Sequence, residues 1–176
     1  ACGGSGNAAK ETTGNNTSTT TTTTGGLDLA VQVGPDPETV DPALNTAIDA
    51  SNIILHAFET LLTFDENNDI VPGQAESFDV SDDGLTYTFH LRDGLKWSDG
   101  SDFTAEDFVY SWKRLADPMT AAPYAADMLS MVKGYEEAAA GDIDALAVSA
   151  PDAKTLVVEL ASPCVYFDKI ITHASM

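Results

Sequence analysis

The sequence predicts a mixed α+β fold of the α/β class. Three observations carry this. Strand-type alternation of apolar and polar residues recurs near 27–33, 86–91 and 155–160. Helix-type apolar stripes recur at 49–62 and 105–115. The two kinds of segment interleave along the chain instead of falling into separate blocks. Hydrophobic residues make up 43% of the 176 residues, enough for a core.

The elements follow in order. Leu27-Asp28-Leu29-Ala30-Val31-Gln32-Val33 alternates and predicts a strand, which Gly34 to Pro37 end. Residues 49 to 62 predict a helix with Ile53, Ile54, Ala57, Phe58, Leu61 and Leu62 on one stripe and Asp49 or Ser51 as its cap. Asp65 to Asp69 is a polar turn. Asp83-Gly84 is a hairpin signal, and Tyr87, Phe89 and Leu91 then alternate with Thr86, Thr88, His90 and Arg92 in a half-buried strand. After a second turn at Asp99-Gly100, Thr104 caps a helix that buries Ala105, Phe108, Val109, Trp112 and Leu115 and stops before Pro118. Helical pattern returns over 124 to 140, broken at Gly134 and stopped at Gly141. Thr155 to Leu160 is a strand, and Phe167, Ile170 and Ile171 recur at helical spacing.

Residues 1–26 predict a Gly/Ser/Asn/Thr-rich linker ahead of a folded part over 27–176. Such a segment offers too little apolar surface to offset the entropy of ordering it. A flexible coil of about 24 residues reaches roughly 25–30 Å.

Charge excludes whole classes of function. Eight Lys+Arg against 28 Asp+Glu leave a formal net charge of -20. Nucleic acid is excluded as a partner because phosphate contacts need clustered cations. Electrostatic docking on anionic lipid is excluded for the same reason. No apolar run reaches the length of about 18 residues that a membrane span needs. Two cysteines at opposite ends, Cys2 and Cys164, are poorly placed for a structural disulfide.

Catalytic and metal motifs are sparse. His56, His90 and His173 are isolated, and there is no GxxxxGKS, HExxH or GxSxG. Asp65, Asn67, Asp69 and Glu76 echo four positions of a calcium loop, yet Ile70 stands where that loop requires glycine and Pro72-Gly73 interrupts it. The expectation is a binding protein, not an enzyme, with no cofactor and no metal.

One long run is far more specific. It begins Asp83-Gly84-Leu85-Thr86-Tyr87-Thr88-Phe89-His90-Leu91-Arg92-Asp93-Gly94-Leu95-Lys96-Trp97-Ser98-Asp99-Gly100 and continues Phe103-Thr104-Ala105-Glu106-Asp107-Phe108-Val109-Tyr110-Ser111-Trp112. This run resembles the signature of the family 5 extracellular solute-binding proteins, the oligopeptide- and dipeptide-binding lipoproteins of ABC importers. Val40-Asp41-Pro42, Phe58-Glu59-Thr60-Leu61, Asp117-Pro118 and Ala122-Pro123-Tyr124 extend the resemblance, with Thr60 in place of the family's usual glycine. Pro163-Cys164-Val165-Tyr166-Phe167 resembles a P-x-P-Y-F segment and departs from it at Cys164 and Val165.

The resemblance implies a periplasmic-binding-protein-like clamshell that seals a peptide between two lobes, of which this chain holds the N-terminal part of one. It implies an oligopeptide or dipeptide ligand, ABC permease subunits as partners, and a monomer at full length. The segment after the Asp-Pro turn, here Thr46, Ala47 and Ile48, is implied to pair with the peptide main chain by strand addition. Tyr124 matches a tyrosine that faces the cleft. Ala1-Cys2-Gly3-Gly4 resembles the end of a lipoprotein signal, which makes Cys2 the lipidated residue and places the protein on the extracellular face of a cell membrane, in a Gram-positive type bacterium. A non-transport surface lipoprotein (peptide sensor or adhesin) and a same-fold binder of a nickel complex or haem stay open as alternatives. Tyr87, Phe89, Trp97, Phe108 and Trp112 are expected to be core. Arg92, Lys96 and Asp107 are expected to tie the hairpin to the following helix. Apolar surface is expected to be exposed over Leu27–Val33 and from Tyr166 onward.

Overall fold

The computed structural model describes residues 34–176. All described elements belong to the unit Val33–Met176. The predicted linker 1–26, the lipidation residue Cys2 and the predicted strand Leu27–Val33 lie outside the described residues.

The chain runs through helix α1 (Ile48–Ala57), a hairpin of β1 (Leu62–Phe64) and β2 (Ile70–Pro72), and strands β3 (Ala75–Val80) and β4 (Thr86–Leu91). Helices α2 (Ala105–Ala116), α3 (Ala125–Leu129) and α4 (Tyr135–Ala139) follow, then β5 (Val148–Asp152), β6 (Thr155–Glu159) and a short α5 (Phe167–Ile170). Strands β3 to β6 form one antiparallel sheet in the order β3-β4-β6-β5. The mixed class holds.

The alternation of β4 sets the core. Tyr87, Phe89 and Leu91 are buried while Thr86, Thr88 and His90 face outward. In register with them, Leu156 stands opposite Phe89 and Val158 opposite Tyr87, so one sheet face is continuously apolar. Helix α2 covers it with Ala105, Phe108, Val109, Trp112, Leu115 and Ala116. At the start of α2, Asp107 Oδ2 accepts the Thr104 main-chain N–H at 2.7 Å, satisfying a donor the helix leaves open.

Several expectations change. The helix predicted over 49–62 ends at Ala57, and Phe58 is extended at φ -121°. Tertiary pairing overrides the local period there: the main-chain N–H groups of Gly73 and Ala75 both donate to the Leu61 carbonyl, and that of Gln74 to Thr60. Leu61 and Leu62 are still buried, but from extended backbone. Neither Asp49 nor Ser51 caps α1, whose N-cap position is Ala47. Trp97 is not core: it is 40% exposed in the turn before Gly100 and leans on Phe103 alone among the described rings, 4.9 Å between centroids.

The expected hairpin-to-helix ion pairs also differ. Arg92 pairs with Glu59, Lys96 with Asp102 in its own turn, and Asp107 with its own helix end. Long-range ties from α2 come instead from Lys113 to Asp144 and Arg114 to Asp41. Finally, the segment from Tyr166 is largely covered. Phe167, Ile171 and Met176 are buried, because Phe167 sets its ring against Tyr87 (4.9 Å) and Trp112 (6.4 Å). Tyr166 alone of its large apolar side chains stays exposed, next to the exposed Val165 before it. The Tyr87 hydroxyl donates to the Cys164 carbonyl at 3.2 Å, which fixes this segment over the sheet.

Candidate functional site

The region around the predicted contact residues is built from the Asp-Pro turn. Asp41 opens it: the Asp41 carbonyl accepts the N–H groups of Leu44 and Asn45, and Asp41 Oδ1 accepts that of Ala43 at 3.0 Å. An aspartate suits this place because its short side chain reaches the main chain two residues on. Arg114, near the C-terminal end of α2, then grips the same carboxylate with both guanidinium arms, Nη1 to Oδ1 at 3.0 Å and Nη2 to Oδ2 at 2.5 Å. The planar fork of arginine matches a carboxylate in a way lysine does not. The Arg114 contact holds the Asp41 carboxyl below its ordinary pKa, against the opposing effect of burial.

This pair was missed at the level of sequence. Arg114 lies two residues past the family run, and nothing in its spacing reveals a partner 73 positions earlier. A prediction follows from its geometry. Asp41→Asn lowers unfolding free energy at neutral pH by about 1 kcal/mol, the pair being part-exposed and screened. Because the folded-state pKa is depressed, the stabilisation is complete above the ordinary value of 3.8 and fades as pH falls through the lower folded value. Urea unfolding at pH 7 and in progressively stronger acid checks this: the gap between wild type and variant closes only on the acid side.

After the turn, Ala47 is extended, with φ -111° and ψ 143°. Both of its main-chain groups are engaged, its N–H donating to Asn45 Oδ1 at 2.9 Å and its carbonyl accepting the Ser51 N–H at 3.1 Å. Neither main-chain group of Thr46 has a partner among the described residues, and Thr46 is exposed. Ile48 departs from the expectation. It is the first residue of α1, so the extended edge ends at Ala47, and its side chain is 80% exposed.

Thr46 and Ala47 line a depression of about 400 Å³ together with Glu38, Leu44, Asn45 and Pro123. Glu38 is its one charged lining residue among the described residues. Pro123 brings Tyr124 close: the tyrosine follows directly, half-buried, with its ring edge-on to His173 at 6.0 Å. His173 Nδ1 accepts the Ser175 N–H at 3.3 Å and lies 2.7 Å from Ser175 Oγ, and burial pushes the ring's pKa down. The structure thus brings Thr46, Ala47 and the Pro123-Tyr124 step to one region. The Asp65 carboxylate, by contrast, is engaged within its own hairpin turn, where Oδ1 accepts the N–H groups of Asn67 (2.8 Å) and Asp69 (2.9 Å).

The described fold superposes on part of solved periplasmic-binding-protein-like structures. The crystal structure of Haemophilus influenzae OppA in complex with RPPGFSPFR superposes with a TM-score of 0.78 at 39% identity, over 81% of this chain and 28% of that one. Residues 69–176 match the profile described as "Bacterial extracellular solute-binding proteins, family 5 Middle". The chain belongs to that family. Among its relatives, the Escherichia coli periplasmic oligopeptide-binding protein OppA is 43% identical over 145 residues, 81% of this chain and 26% of the relative. The Escherichia coli probable deoxycholate-binding periplasmic protein YgiS is 40% identical over 144 residues, 80% of this chain and 27% of the relative. The chain therefore spans about a quarter of the length of the relatives it matches. These relatives are named for what they bind, and none of the three carries an enzyme's name.

Proposed function

We propose that this chain is part of an extracellular binding protein that captures short peptides and delivers them to the permease of an ABC importer. The observation that carries the reading is the Thr46 backbone, without a partner among the described residues, beside the depression. A main-chain edge binds peptides whatever their side chains, which suits a broad peptide carrier. The charge of the depression supports the same ligand: Glu38 favours the cationic and N–H-rich parts of a peptide and disfavours an anionic steroid such as deoxycholate. Tyr124, which follows Pro123 in the chain, offers an aromatic ring set edge-on to His173.

In this reading Cys2 carries the lipid that tethers the protein to the outer face of the membrane, and residues 1–26 are the spacer. More than one acyl chain gives stable anchoring. Mass spectrometry of the membrane-extracted protein tests the anchor. A diacylglyceryl adduct on Cys2 is the expected result, with release of Cys2→Ser into the medium; an unmodified Cys2 in membrane-bound protein overturns it.

The ligand is tested by calorimetry on the polypeptide extended to the length of its relatives. Unmodified tri- to pentapeptides bind with Kd about 1 μM or tighter, near −8 kcal/mol. The 176-residue chain alone binds at least about 100-fold more weakly, because a peptide closed on from one side only loses half its contacts. Tight binding of deoxycholate with no response to peptides overturns the peptide assignment. Loss of peptide uptake on deleting the gene for this protein is expected of an importer component, and unchanged uptake points to a surface sensor or adhesin instead.

A further inference from the structure

The geometry points to Asn45 as a positioning residue that pre-sets the candidate edge for its ligand, an inference that rests on the strand-addition reading proposed above. Asn45 is only 8% exposed, an unusual place for an amide side chain unless its polar atoms are satisfied. They are. Oδ1 accepts the Ala47 N–H at 2.9 Å and Nδ2 donates to Ser51 Oγ at 2.8 Å. Ser51 Oγ in turn donates to the Ala47 carbonyl at 3.0 Å. The three residues close a ring of hydrogen bonds: Asn45 to Ser51, Ser51 to Ala47, and Ala47 back to Asn45.

This ring has two consequences. It engages both main-chain groups of Ala47, while neither main-chain group of Thr46 has a partner among the described residues. It also ties the edge to the first turn of α1, where Ser51 sits, so a loop inherits the rigidity of a helix. A short extended segment left to itself samples many backbone states, and a ligand must bear the entropy of selecting one. A segment already held in its bound form binds without that cost. Asn45 supplies the acceptor and Ser51 the link to the helix.

The test uses the full-length polypeptide with tetra-alanine as probe, read by calorimetry, and amide hydrogen exchange at Ala47. Asn45→Ala removes the acceptor and weakens binding about tenfold while Ala47 exchange accelerates by a similar factor. Asn45→Asp keeps an acceptor for Ala47 and restores affinity to within about threefold of wild type. A purely structural asparagine shows no such rescue of both readouts together. If Asn45→Ala does not fold, Ser51→Ala carries the same test, with a loss of about threefold expected. Thr46→Pro, which removes the Thr46 N–H, separates the two levels of the argument. Unchanged binding by Thr46→Pro overturns the strand-addition reading itself. Weakened binding by Thr46→Pro beside wild-type affinity and Ala47 exchange in Asn45→Ala and Ser51→Ala overturns the positioning role alone.

Discussion

Gly134→Ala lowers the unfolding free energy by about 3 kcal/mol and the melting temperature by roughly 10 °C. Two independent effects add. Gly134 sits at φ 79°, in the left-handed region between α3 and α4, where an L side chain is strained. A Cβ there would also lie 1.9 Å from the Ala145 carbonyl oxygen and 2.6 Å from its carbon. That obstacle is backbone, so it cannot rotate away. The 3₁₀ turn Ile143–Ala145 and the approach to β5 must shift instead. Gly141 and Gly100 share the positive φ but have nothing within 4 Å of such a Cβ. Alanine at either position therefore costs about 1 kcal/mol, the backbone penalty alone. Thermal unfolding followed by circular dichroism separates the cases, and equal losses at all three positions would contradict the close-approach argument.

Trp112→Ala is the second large loss, about 4 kcal/mol. Trp112 is fully buried on the apolar face of α2 and packs edge-on to Phe167 at 6.4 Å. Its removal empties the contact between α2, the sheet and the C-terminal segment at once. Trp112→Phe is expected to behave very differently, within about 1.5 kcal/mol of wild type. The reason is polar. Trp112 Nε1 is buried and has no hydrogen-bond partner among the described residues. Leaving a buried donor unpaired costs about 1–3 kcal/mol, so phenylalanine removes a penalty while losing part of the volume. Urea unfolding of the two variants checks this. A Trp112→Phe loss as large as that of alanine would mean that the indole N–H makes a bond that matters.

Much of the scaffold was legible in the sequence because its signals are local. The alternation of Tyr87, Phe89 and Leu91 and the stripe from Ala105 to Leu115 each depend on neighbours within a few residues, and each reappears in the fold, whereas the helical pattern over 124 to 140 stops at Leu129 and resumes only after Gly134. The resemblance carried by Asp83–Trp112 led to the right family for the same reason: a contiguous run is visible without coordinates. Phe58 to Leu62 misled because their helical spacing is local while the pairing that overrules it joins Leu61 to Gly73 and Ala75. Trp97 misled because aromatic character says nothing about which side of a turn a ring occupies.

The candidate site divides along the same line. Thr46, Ala47 and Tyr124 were named from matched motifs, yet which of their groups are open was not readable. That Ala47's groups are bound up depends on Asn45 and Ser51 meeting across the start of α1. That the preceding turn is rigid depends on Arg114 reaching Asp41 from the far end of α2. By itself the sequence determined the class of fold and the core faces of β4 and α2 through short-range periodicity, and the family through its resemblance over one contiguous run. Only the tertiary structure decided which backbone groups remain free to bind and what holds them in place. Hydrogen bonds and ion pairs are short-ranged in space but indifferent to separation along the chain, so their partners exist only once the chain has folded.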